Sequence, residues 1–332
     1  LAAELGLYII PRPGPYIMAE TINEGIPHWI FNKYPQVAFV NQQGVAQNIV
    51  SYLHPDFLSC VVKWYHAIFN ILVPRQIHHS GKIIMIQLDN EMGMMPWVRN
   101  IIDTNPDTIA RLVNYLHFTY GDHLSSRYPN GDLAKFLLEG ILNPKEPYAS
   151  KIVDDYRRFY RKYLLEYASF LVSEAKACGM EVLPVINIHG FANEGKTFPI
   201  GLSQLVDVMG MQGVISATDV YPRYIGEGNF HQLLLINEMT KSLQNKQQAL
   251  FSIEFQAGGN QDFSNGQSSF FDMHTRLCIS WGMRAINHYL FFDGENRVRA
   301  VTMGHDIAPQ VIQNNKGAGG IEPHGALCDQ IK

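Results

Sequence analysis

Residues 83–93 read IIMIQLDNEMG: an apolar run, IIMIQL, that gives way at once to Asp89-Asn90-Glu91. A short run rich in β-branched residues, with no polar alternation, reads as a parallel strand covered on both faces. The polar triplet then falls at the strand's carboxyl end. Five more runs have the same character: 7–12 (LYIIPR), 181–187 (EVLPVIN), 214–220 (VISATDV), 249–255 (ALFSIEF) and 285–291 (AINHYLF).

The stretches between them carry helix signals. His54-Pro55-Asp56 opens a helix to about residue 73, with Leu58, Val61, Val62, Tyr65 and Ile68 spaced for one buried stripe. Asn105-Pro106-Asp107 combines an N-cap, a proline in the first turn and an acid near the positive end of the dipole, and Gly121 closes that helix. A long helix around 150–178 repeats Ile152, Tyr156, Phe159, Tyr163, Tyr167 and Phe170 at three- and four-residue steps, which is core packing rather than a cofactor box.

Repeated strand-then-helix units build either an open doubly wound sheet or a closed barrel. No turn here carries the GxGxxG that a dinucleotide-binding open sheet would show. Polar residues instead end several different strands, as in a barrel whose site lies on its carboxyl rim. The expected fold is therefore an α/β (β/α)8 TIM barrel, partial because six strands are read where a full barrel has about eight. The first two would precede Leu1, since LAAELG reads as the last turn of a helix closed by Gly6. Residues 1–332 are taken as one partial catalytic domain, and the long region 94–177 as a helical insertion after the 83–88 strand.

Composition narrows the function classes. A net charge of −4 supplies no basic field for nucleic acid, and no apolar run reaches the length of a membrane span. Cys60, Cys178, Cys278 and Cys328 form no CxxC pair and ask for no disulfide, which fits a reducing, cytoplasmic compartment. His78, His79, His189, His288 and His305 are scattered without HExxH or paired Cys/His spacing, so neither a metal nor a cofactor is expected.

The chemistry is read from two glutamates. Glu91 follows the 83–88 strand, and Glu254 lies within ALFSIEF. Carboxylates at strand ends are the equipment for glycosidic cleavage: one donates a proton to the leaving oxygen, the other attacks or activates water. A separation of about 5–5.5 Å would give a covalent glycosyl-enzyme and retention, and a wider gap inversion. Arg12 is read as a structural partner of a site group rather than a substrate clamp.

RPGPYIMAE (12–20), then GIPHWI, IIMIQLDNEMG and SIEFQAGG, resembles glycoside hydrolase family 35, the retaining β-galactosidases of the Glu/Glu barrel clan. The closing EPHGALCDQIK looks like that family's final barrel helix. The resemblance implies that Glu91 is the acid/base and Glu254 the nucleophile. It implies that Ala19 and Glu20 hold galactose hydroxyls with Asn90 beside the acid, and that Asn187, Tyr221 and Tyr289 line the sugar. The implied partner is a β-galactoside oligosaccharide or glycoconjugate. The chain departs from the family at residues 292–306, where FDGEN stands for GGTNFG and TMGHD for a Tyr-rich segment. That leaves open another β-linked sugar, a β-glucosaminide or β-mannoside, or a fragment that binds carbohydrate without cleaving it.

Overall fold

The computed structural model describes residues 1–18, 22–189, 203–222, 225–256 and 268–289. Ala19, Glu20, Cys328, His305, the 292–306 loops and the closing helix expected from EPHGALCDQIK lie outside the described residues.

Prolines decide how the chain begins. LYIIPR was expected to be a strand, but it forms only an isolated parallel bridge between Ile9 and Ile83. Its backbone is still tied to the next strand: Ile9 N–H donates to Lys82, Ile84 N–H to Ile9, and Gln87 N–H to Pro11. Pro11, Pro13 and Pro15 have no N–H to return, so the ladder cannot run in both directions. Before it, Leu5, Gly6 and Leu7 donate back to Leu1, Ala3 and Ala2, and Gly6 sits at φ 77°, the expected helical turn closed by glycine.

The described residues divide into a first unit ending at Leu183 and a second beginning at Pro184. In the first, α1 (His28–Lys33) precedes a hairpin of β1 (Ala38–Val40) and β2 (Ala46–Val50). The hairpin was not anticipated. Its turn is built by Asn41, whose side-chain oxygen accepts from the N–H groups of Gln43 and Val45. Next come α2 (Pro55–Leu72), β3 (Met85–Gln87), α3 (Met94–Val98), α4 (Pro106–Tyr120), α5 (Leu124–Arg127), α6 (Leu133–Leu142) and α7 (Ala149–Ala177).

The helix starts follow their caps. His54 Nδ1 accepts from Asp56 N–H, Asn105 Oδ1 from Asp107 N–H, and Asp132 Oδ1 from Lys135 N–H. Phe57, Val61, Tyr65 and Phe69 form the deepest line of α2, one step round from the expected stripe: Leu58, Val62 and Ile68 are only partly buried. Among the described residues Pro55–Arg75 is long and apolar enough to cross a membrane. Its buried line, and the Tyr65 hydroxyl donating to Gly14 O at 3.0 Å, mark it as a core helix. α7 buries Ile152, Tyr156, Phe159, Tyr163 and Tyr167 as spaced, while Phe170 stays partly exposed.

The second unit alternates strand and helix: β4 (Leu183–His189), α8 (Val206–Met209), β5 (Ile215–Val220), α9 (Phe230–Leu243), β6 (Leu250–Gln256), α10 (Ser268–Ser280) and β7 (Met283–Tyr289). β4, β5, β6 and β7 pair in parallel, each with the next in sequence. That is the order which strand–helix–strand crossovers produce. Every residue of β6 is buried, as its unbroken apolar run required. Leu233 of α9 and Cys278 of α10 pack on Val220, Leu250, Phe255 and Met283. Cys60, Cys178 and Cys278 are free thiols.

Candidate active site

In the first unit the RPGPY segment and the end of β3 build one another. Asp89 N–H donates to Gly14 O, and the Asp89 carboxylate accepts from Tyr16 N–H at 3.1 Å and from Asn90 N–H at 2.8 Å. Gly14 holds φ 81°, a left-handed conformation glycine takes without cost. Asp89 (φ 64°) and Glu91 (φ 46°) are also left-handed, and there a side chain costs about 1–2 kcal/mol. Such geometry persists only where its surroundings hold it, and it gathers at functional sites. Here Met94 N–H caps the Glu91 carbonyl, and Gly93 N–H donates to the Tyr52 hydroxyl at 2.8 Å.

The polarity of Asn90 follows. Its Oδ1 accepts from Arg12 Nη2 and, at 3.0 Å, from Gln87 Nε2. With the oxygen engaged, Nδ2 is the outward donor, and Glu91 Oε2 lies 3.5 Å from it. Arg12 thus orients the amide beside Glu91, in keeping with its reading as a supporting partner. Asn90 is buried and Glu91 half-buried. Asp89 is fully enclosed; burial pushes its carboxyl up to about 7, against the opposing bonds from Tyr167, Asn90 and Tyr16.

In the second unit the strand ends carry the other expected residues. Glu254 on β6 is buried, and Oε2 accepts from the Tyr221 hydroxyl at 2.8 Å. Burial, and then the Glu254 charge, hold the Tyr221 phenol well above its ordinary range, so it stays a donor. Tyr289 at the end of β7 meets the Tyr221 ring edge-to-face, with centroids 5.7 Å apart. Asn187 on β4 is buried, and its Nδ2 donates to Asp219 Oδ2 at 2.8 Å.

Asn90 and Glu91 therefore sit together in the first unit, and Asn187, Tyr221, Glu254 and Tyr289 in the second. Asp219 was not singled out from the sequence. Register pairs it with Glu254, and their carboxylate oxygens lie within 4.8 Å. A signal was present: an acid near the end of an otherwise apolar, β-branched run, ISATDV, as in ALFSIEF. His288 and His274 both pack on Phe255, His274 stacked at 4.0 Å. Burial, with the neighbouring His288 adding to it, pushes the His274 pKa down to about 3, so this imidazole is neutral.

The profile of Glycosyl hydrolases family 35 matches residues 1–138. A beta-1,2-glucosyltransferase of Ignavibacterium album is 27% identical over 89% of this chain and 42% of its own length. An exo-beta-D-glucosaminidase of Pyrococcus horikoshii is 38% identical over 40% of this chain and 17% of its own, and the dog beta-galactosidase 31% over 43% and 19%. The chain thus spans well under half the length of these relatives. Among solved structures, the beta-galactosidase of Bacillus circulans sp. alkalophilus superposes with a TM-score of 0.62 at 14% identity, over 92% of this chain and 45% of the other. That likeness shows an α/β fold of the TIM-barrel type, here in part. Residues 1–138 are thus similar to family 35, the beta-galactosidases among the relatives match the same kind of partial stretch, and the solved structures share the fold.

Proposed function

We propose that the chain removes terminal non-reducing β-D-galactosyl residues from β-galactoside oligosaccharides or glycoconjugates by a two-step retaining mechanism. The observation that carries this is Glu254, buried at the carboxyl end of a parallel strand with a phenol donating to its carboxylate. In the first step Glu254 attacks the anomeric carbon as its bond to the leaving oxygen breaks. The electron pair goes to that oxygen, which takes a proton from Glu91. In the second step Glu91, now a base, takes a proton from water, and the hydroxide formed displaces Glu254 with the β configuration restored.

Asn90, oriented by Arg12 and Gln87, donates to a sugar hydroxyl beside the scissile bond. Tyr221 and Tyr289 present an aromatic corner to the sugar's C–H face, and Asn187, Ala19 and Glu20 complete the hydroxyl contacts. Residues 1–332 act in this reading as one catalytic barrel, with 94–177 an insertion.

The names of the relatives support a second reading of the sugar. A glucosyltransferase and glucosaminidases are similar to this chain, so a β-glucoside or β-glucosaminide is the alternative donor, and another sugar the alternative to water as acceptor.

A panel of aryl β-galactoside, β-glucoside, β-glucosaminide and β-mannoside tests both. Galactoside turnover in the 332-residue chain, lost by about 10³-fold or more in Glu254→Gln with folding unchanged, is the expected result. Glu91→Gln should lose most on poor leaving groups, which need the proton. Faster turnover of another glycoside replaces the galactosyl assignment. Near-normal turnover in Glu254→Gln ends the mechanism, and sugar binding without any turnover marks a binding module.

A further inference from the structure

Asp219 is a buried carboxylate that the mechanism above leaves unused. It is 2% exposed, stands beside Glu254 in the β5–β6 register, and has an oxygen within 4.8 Å of that carboxylate. Asn187, 1% exposed on β4, donates Nδ2 to Asp219 Oδ2 at 2.8 Å. Three adjacent parallel strands thus bring Asn187, Asp219, Glu254 and the Tyr221 hydroxyl into one chain of side-chain neighbours.

We infer that Asp219, clamped by Asn187, is a positioning residue for Glu254 that raises the rate of the glycosylation step. The inference rests on the two-step reading above. Before attack, two carboxylates stand side by side in a buried setting, and their repulsion is stronger there than in water. When Glu254 forms its ester bond to the anomeric carbon, its charge is consumed and that repulsion disappears. The transition state also gathers positive charge on the sugar, which a fixed anion nearby stabilises. Both effects favour the transition state over bound substrate, so they act on kcat rather than on KM. Asn187 has a defined part in this. Its amide fixes the carboxylate's orientation, so its effect on kcat runs through Asp219, while its contact with the sugar is read in KM.

Asp219→Asn tests the charge, because the new amide oxygen still accepts from Asn187 and the shape is kept. Asn187→Ala tests the clamp with the charge left in place. Steady-state kinetics of the 332-residue chain on its best aryl glycoside supply the readout. Asp219→Asn should lower kcat roughly tenfold to a hundredfold, with KM changed by less than about twofold. Asn187→Ala should lower kcat by a smaller factor, and the double variant should be no slower than Asp219→Asn alone. A raised KM at unchanged kcat would make Asp219 a sugar ligand and overturn the inference, as would unchanged kinetics. So would independent, multiplying losses in the double variant. Should Asp219→Asn fail to fold, normal kcat in Asn187→Ala overturns it by itself. An unmutated chain that cleaves no glycoside defeats the two-step reading and this inference together. Full turnover in Asp219→Asn defeats this inference alone.

Discussion

Asp155 and Asp89 are buried alike, each 1% exposed within the first unit, and they are tuned in opposite directions. Asp155 on α7 accepts from Arg127 Nε at 2.6 Å and Nη2 at 2.8 Å, and from the Tyr120 and Tyr128 hydroxyls at 2.7 Å each. Burial alone would raise its pKa, but these bonds, Arg127 first, outweigh it and hold the carboxyl below the usual range. Arg127 also lies over the rings of Tyr120 and Tyr128. Asp89 receives only neutral donors, and burial carries it up to about 7. Asp103 shows which difference decides. It accepts from Val40 N–H, Asn105 N–H and the Thr108 hydroxyl, yet burial still pushes it up to about 6. At Asp89 and Asp103 the neutral donors leave burial dominant, whereas at Asp155 a guanidinium outweighs it. The helical layer spends its cation on scaffolding, whereas the end of β3 is left with an acid poised near neutrality.

Replacing each aspartate by its amide isostere sharpens that contrast. The larger effect belongs to Asp155→Asn, which leaves Arg127 without its anion and costs about 2–4 kcal/mol, the lower end applying because Arg127 is partly solvated. Urea titration at neutral pH measures it; a loss below about 0.5 kcal/mol would show that the cluster is not scaffolding. Turnover per folded molecule should be unchanged.

Asp89→Asn should act in the other direction and by less. Its pKa is about 7 folded against 3.8 as a free side chain, so the folded state holds a proton that the unfolded state has released. The stabilisation is complete below about pH 4 and is lost as pH rises to 7 and beyond. The amide keeps the acceptor for Tyr16 and Asn90 without that dependence. At pH 8 the variant should be more stable than the unmutated chain by about 1–3 kcal/mol, and the gap should close toward pH 4. Asp103 contributes a slope of the same sign in both proteins, so the difference between the two curves is the readout. Parallel curves would contradict the tuning of Asp89.

The sequence carried the strand ends well, because a parallel strand buried on both faces must be a continuous apolar run and the break to polar residues marks its carboxyl end. β3 to β7 begin and end within about two residues of the expected runs. The caps at His54 and Asn105 and the stripe of α7 were legible because each is a local rule. Long-range hydrogen bonding was not. LYIIPR has strand composition, but Pro11 and the prolines that follow it cannot close a ladder. The hairpin of β1 and β2 depends on an Asn41 turn without the usual Asn-Gly signal. Among the residues expected to act, Glu91 and Asn90 in the first unit and Tyr221, Glu254 and Tyr289 in the second were visible as polar or aromatic residues at strand ends. Asp219 was not legible as a site residue, because its pairing with Glu254 depends on the register of β5 against β6, which no local pattern in ISATDV fixes. The opposite tuning of Asp89 and Asp155 could not be read from sequence at all, since Arg127 reaches Asp155 only through the fold.

The most direct test of the two-carboxylate mechanism is to trap its intermediate. Incubation with an activated 2-deoxy-2-fluoro-β-glycoside of the preferred sugar slows breakdown of the glycosyl-enzyme, and peptide mass spectrometry then finds the modified residue. The mechanism predicts one fluoroglycosyl group, carried by Glu254, with activity lost in proportion to labelling. Labelling on Asp219 or Glu91, or continued turnover with no covalent adduct, would contradict it.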